Sequence, residues 1–159
     1  MGGSHGGLAS FYLATIRIDI FGCCICLSPS FWAGLDSSVE NPLLAFENIS
    51  KGSIIKEIIQ ELQSETIRPL IYFDWGMNRI GFENEYTEAL VEKRCKEMKE
   101  FLENELNYTD DELLTFEDPN GSHSAKSWAL RLDIPLKWLA SKYSKIYYTN
   151  IDDTKELDS

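Results

Sequence analysis

The chain has 159 residues, of which 43% are hydrophobic and 26% charged, and a formal net charge of −11. That length suits one domain with a buried core, and the composition is that of a soluble globular protein rather than a disordered or fibrous one. The negative charge argues against a nucleic-acid partner, and no run approaches the ~20 apolar residues of a membrane-spanning helix.

The first residues, Gly2-Gly3-Ser4-His5-Gly6-Gly7, contain a G-x-S-x-G run. Such a run makes a nucleophile elbow when a helix follows the serine directly and an acid and then a histidine lie downstream. The elbow is a strained strand-to-helix turn that lifts the serine hydroxyl above the sheet. A Cβ on either flanking glycine is expected to collide with the neighbouring strand or helix. The amide of His5 is expected to supply half of an oxyanion hole. Five residues rich in glycine and serine also occur by chance, or as a disordered tail, so the downstream context decides.

From His5 to Arg17, Leu8, Phe11, Tyr12, Thr15 and Ile16 fall at helical spacing. Phe21 to Leu27 reads as a short, fully buried strand bounded by Gly22 and Pro29. Ser28-Pro29-Ser30-Phe31-Trp32 follows at its C-terminal end, the edge where open α/β sheets hold ligands. Trp32 either lines a substrate pocket there or caps the core. Asp36 to Ser50 is loop-like, with Asn41-Pro42 as a breaker. Lys51 to Gln63 carries Ile54, Ile55, Ile58, Ile59 and Leu62 on one helical face. Pro69 to Phe73 is a second buried strand, ending in Asp74-Trp75-Gly76.

Glu83 to Leu106 predicts the longest helix, with Val91, Cys95, Met98, Leu102 and Leu106 as its core stripe. Glu112 to Phe116 is a third strand, and Asp118-Pro119-Asn120-Gly121 a turn that delivers His123. Ser124 to Tyr143 keeps a helical period through Trp128, Leu132, Leu136, Leu139 and Tyr143, with Pro135 expected to kink or split it. Residues 144–159 read as a polar, acidic tail. Strands alternating with helices predict an α/β fold with a parallel sheet of about three strands and helices on both faces.

The four cysteines, Cys23, Cys24, Cys26 and Cys95, have no metal-ligand spacing, and the two histidines, His5 and His123, are too few to complete a zinc site. Reduced, buried thiols are expected, with no metal and no cofactor. The sequence carries no signal peptide, which points to the cytoplasm unless a signal precedes Met1. The Asn-x-Ser/Thr matches at Asn48, Asn107 and Asn120 read as chance without one.

Ser4, Asp74 and His123 follow one another in the chain order of α/β-hydrolase triads, each at or near the C-terminal end of a predicted strand. Gly3 to Leu8, Phe21-Gly22 to Trp32, Ile71 to Gly76, and Asp118 to His123 with Trp128-Ala129 and Arg131-Leu132, resemble one branch of the α/β-hydrolases: esterase D, feruloyl esterases and enterochelin-esterase-like proteins. The resemblance covers most of residues 2–143, and that span is expected to be one partial esterase domain. It implies a small-molecule ester as substrate, Ser4 as nucleophile and His123 as general base, with no role for nucleic acid or membrane. Many relatives carry the triad acid where this chain has Arg79, and a cation there cannot orient a histidine. Asp74, Glu83 or Glu85 is the substitute, or the site works as a Ser-His pair; Asp74 reads equally well as a structural carboxylate.

Against that family the chain corresponds to the C-terminal half, beginning inside the elbow. The preceding strands and the second oxyanion amide are then expected to be missing, at a cost of about 10²–10³ in rate for the lost donor. The apolar edge at the Gly22 strand is expected to be bare and prone to self-association. Serine ester hydrolysis, weak or absent in this chain alone, is the leading expectation. The alternatives are an acyltransferase of the same fold and a non-catalytic hydrolase-like interaction module.

Overall fold

A computed structural model describes residues 1–32, 60–62, 67–78 and 85–143, with only the backbone of 85–88. Four parallel strands form one sheet in the order β1-β2-β3-β4: β1 (Gly2–Gly3), β2 (Cys23–Leu27), β3 (Leu70–Gly76) and β4 (Leu113–Asp118). Helix α1 (His5–Ile16) joins β1 to β2 and α2 (Glu85–Asn104) joins β3 to β4, as parallel neighbours require. Helix α3 (Ala125–Arg131) follows β4. The chain divides into two compact units, Met1–Trp128 and the part from Ala129 onward.

The α/β class read from the sequence is the class of the fold, but among the described residues the sheet has four strands rather than about three. Gly2 and Gly3 pair with Cys26 and Leu27, so the C-terminal end of β2 is not the bare edge expected of the strand. Two glycines carry almost no strand signal of their own. Their pairing is extended by the Ser4 amide, which donates to Leu27 O at 2.9 Å.

The registers align Cys24 with Ile71 and Cys26 with Phe73, and these side chains share one face of the sheet. Leu8, Phe11 and Ala14 of α1 pack there, together with Val91, Cys95, Met98 and Leu102 of α2. Phe11, Phe31 and Phe73 meet edge to face, with centroids 5.2 and 5.5 Å apart, a preferred aromatic geometry. On the other face Ile25, Leu27, Tyr72 and Asp74 are also buried. Burial on both faces explains why β2 and β3 read as continuous apolar runs instead of alternating ones.

The stripe expected on α2 is buried from Val91 to Leu102, and Leu106 is buried just beyond the helix. Cys24, Cys26 and Cys95 are buried and Cys23 is half-buried, none of them in a disulfide; burial pushes the Cys26 thiol well up from its ordinary range. The helical region after Ser124 is split, as expected of a chain with Pro135, but the break is at Leu132 and a second helix runs over 133–143. Proline therefore sits in the first turn of the later helix, where its missing N–H has no intrahelical acceptor to lose. Of the predicted 51–63 helix only 60–62 are described, and they are helical. The predicted loop 36–50 and the tail 144–159 lie outside the described residues. Among the described residues no helix is long and apolar enough to cross a membrane, and no three His, Cys, Asp or Glu side chains group to hold a metal ion.

Candidate active site

Ser4 stands between β1 and α1 with φ 54° and ψ −122°. A positive φ is strained for a residue with a Cβ. The surroundings hold it from three sides. The amide of Ser4 donates to Leu27 O, while its carbonyl accepts from Gly7 N at 3.0 Å, Leu8 N at 3.2 Å and Ser30 N at 3.1 Å. Serine at a helix N-cap ordinarily turns its hydroxyl onto the first amides of the helix. This one makes no such bond. Its Oγ lies 3.1 Å from Ser30 Oγ instead. The amides of His5 and Gly6, the first donors of α1, have no backbone acceptor outside the helix among the described residues, as helix N-termini leave them.

The glycines around the serine divide differently from expectation. A Cβ on Gly2 would stand 2.4 Å from the Gly6 carbonyl oxygen, so that close approach does require glycine. A Cβ on Gly6 meets nothing within 4 Å. The tight contact at that end belongs to Gly7, whose Cβ would come within 3.1 Å of Pro29. The tight contact of the helix start is thus with the loop after β2.

That loop carries the rest of the arrangement. Ser28, at φ 43°, donates its amide to Asp74 O and to Asp74 Oδ1, each at 3.0 Å. Its Oγ accepts from Trp128 Nε1 at 3.1 Å. The Trp128 ring lies against the β1 backbone so closely that a Cβ on Gly3 would be 2.6 Å from it. His123 meets the same ring edge-on, centroids 5.3 Å apart. Trp128 therefore spans between the histidine and the backbone that precedes the serine.

The histidine loop is tied to the end of β3. Met77 N donates to Asp118 O and Asn78 N to Gly121 O, both at 2.9 Å. Gly76 has no room for a side chain, since a Cβ would sit 2.2 Å from Gly121 O. The Asp118–Gly121 turn closes as expected, with Gly121 N on Asp118 O at 3.1 Å and Asn120 N on Asp118 Oδ1 at 3.0 Å. Ser124 then caps α3 through its Oγ, 3.2 Å from Ser127 N.

Ser4, Asp74 and His123 thus all belong to the C-terminal ends of the strands, as their chain positions predict. Asp74 is fully buried, with Oδ1 on the Ser28 amide and Oδ2 accepting from the Tyr72 hydroxyl at 3.0 Å. Among the acids considered, it is the one whose side chain is described: Arg79 and Glu83 lie outside the described residues, and of Glu85 only the backbone in α2 is described. Trp32 packs against the core and also meets His5 edge-on, centroids 6.1 Å apart. Three contributors were not singled out from the sequence: Ser28, Ser30 and Tyr72. Their partners are up to 100 residues away along the chain, and no local period encodes them. The available signal was two serines following an apolar strand at its ligand-binding edge.

Neither models of protein families nor curated proteins return a match to this chain.

Proposed function

We propose that the chain is a serine ester hydrolase working through an acyl-enzyme. The observation that carries this reading is the strained N-cap of α1, where Ser4 at φ 54° and ψ −122° forgoes its capping bond and turns its hydroxyl to that of Ser30. Backbone strain of this kind costs about 1–3 kcal/mol and persists where the surroundings over-determine it.

In the proposed reaction Ser4 Oγ attacks the ester carbonyl while His123 takes its proton. The carbonyl oxygen becomes an oxyanion beside the His5 amide, at the positive end of α1. Collapse expels the alcohol with a proton from His123, and water releases the acid by the same route in reverse. Trp128 holds the histidine against the elbow. Asp74 acts by fixing Ser28, which in turn accepts the Trp128 indole N–H.

The test is pre-steady-state hydrolysis of 4-nitrophenyl acetate by residues 1–159. A burst of one nitrophenolate per chain is expected, absent from Ser4→Ala, even if later turnover is slow. A burst that survives Ser4→Ala contradicts the assignment. No burst from the unaltered chain supports a non-catalytic, hydrolase-like module instead.

A further inference from the structure

The hydroxyl of Ser4 is connected to the imidazole of His5 through one intermediary. Ser4 Oγ lies 3.1 Å from Ser30 Oγ, and Ser30 Oγ lies 3.3 Å from His5 Nδ1. Ser30 is fully buried and is fixed at its backbone by the bond from its amide to Ser4 O. Its hydroxyl has one proton to give and lone pairs to receive one, and it lies between the serine and the histidine. The His5 ring is held in turn by Trp32, edge-on at 6.1 Å.

We propose that Ser30 and His5 form a proton relay on the nucleophile, making His5 a second proton acceptor for Ser4 beside His123. The proposal rests on the ester-hydrolase reading. As Ser4 Oγ bonds to the acyl carbon, its proton passes to Ser30 Oγ, and the proton of Ser30 passes to the lone pair on His5 Nδ1. The carbonyl π pair moves onto oxygen. When the tetrahedral species collapses, that pair returns and the bond to the alcohol breaks with its electrons on the alcohol oxygen. The proton returns along the relay to that oxygen. The 3.3 Å separation is long for a hydrogen bond, and catalytic hydrogen bonds characteristically tighten once substrate is bound. One residue then serves twice, its amide facing the oxyanion and its ring taking the proton.

The experiment is the acylation rate with 4-nitrophenyl acetate, measured in stopped flow for the unaltered chain, S4A, H123A, H123A/H5N and H123A/S30A. Asparagine keeps a polar atom near the place of Nδ1 but cannot take up a proton, and His5 is exposed, so the substitution leaves the core intact. Unchanged melting transitions establish folding for each variant. The relay predicts that H123A acylates measurably above S4A, and that adding H5N or S30A lowers that residual rate at least tenfold, with the ester concentration at half saturation unchanged. H123A already at the S4A level, or H123A/H5N as fast as H123A, overturns the relay while leaving the nucleophile in place. An unaltered chain no faster than S4A overturns the hydrolase reading and the relay with it.

Discussion

Asp74 shows how a residue in the site is held to its post by more than one requirement. It is fully buried and accepts from both the Ser28 amide and the Tyr72 hydroxyl. Buried donors left without acceptors cost about 1–3 kcal/mol each. Asp74→Ala keeps the backbone carbonyl that the Ser28 amide also uses and takes the carboxylate from the Tyr72 hydroxyl, so it is expected to lower stability by about 1–3 kcal/mol, a loss measured by urea denaturation. A midpoint equal to that of the unaltered chain would show that the carboxylate's bonds are replaced at no cost. His123→Ala is expected to reduce acylation by about 10²–10⁴, the usual range for a general base, with a smaller effect on the melting transition than Asp74→Ala. Stopped-flow acylation and calorimetry on the two variants separate the roles.

At the scale of elements, the candidate site rests on close approaches of β1 to α1, of α1 to the loop after β2, and of the end of β3 to the turn after β4. Gly2→Ala would place a Cβ 2.4 Å from a backbone carbonyl oxygen, whereas Gly6→Ala opens onto empty space in α1. Gly2→Ala is expected to destabilise by at least ~2 kcal/mol, beyond the usual 1–3 for overpacking if the backbone cannot shift. Gly6→Ala is expected to gain up to ~1 kcal/mol from helix propensity. Thermal unfolding of the pair checks both signs, and equal effects would contradict the packing described. The elements legible in the sequence are those with a local signal. β2 and β3 announce themselves as apolar runs, α2 by its stripe, and the Asp118–Gly121 turn by proline and glycine at fixed places. β1 was not legible, because glycine at positions 2 and 3 pairs with β2 by position rather than by propensity. The helix break at Leu132 was displaced from Pro135 because proline starts a helix as readily as it ends one. That Ser4, Asp74 and His123 lie toward the C-terminal ends of strands was legible through their order along the chain, whereas Ser28 and Ser30 owe their places to contacts that exist only once the strands are side by side.

Across the whole sheet, the N-terminal ends of β3 and β4 are clipped by charge, away from the chemistry proposed at the other ends. Arg68 Nη2 reaches both oxygens of Glu112 at 2.7 Å, its guanidinium also donates to the Leu106 carbonyl, and it lies 4.4 Å over the Tyr108 ring. Burial alone would raise the Glu112 carboxyl, but the Thr109 amide and hydroxyl and the Arg68 guanidinium outweigh it and hold the group below its ordinary value. A carboxyl lowered on folding stabilises fully above its unfolded pKa, and the contribution is lost as pH falls through the folded value. Acidification through and below the ordinary carboxylate range is expected to remove about 1 kcal/mol at this partly exposed clip, and Glu112→Gln should flatten that part of the stability profile. Denaturation at a series of pH values reads it, and an unchanged profile in Glu112→Gln would contradict the assignment. The central claim concerns Ser4, and labelling of the 159-residue chain with an alkyl fluorophosphonate tests it most directly. Tandem mass spectrometry of the digested product is predicted to find one phosphonyl group on the Ser4 hydroxyl and none after Ser4→Ala, whereas an unlabelled chain, or a label fixed on another residue, would contradict it.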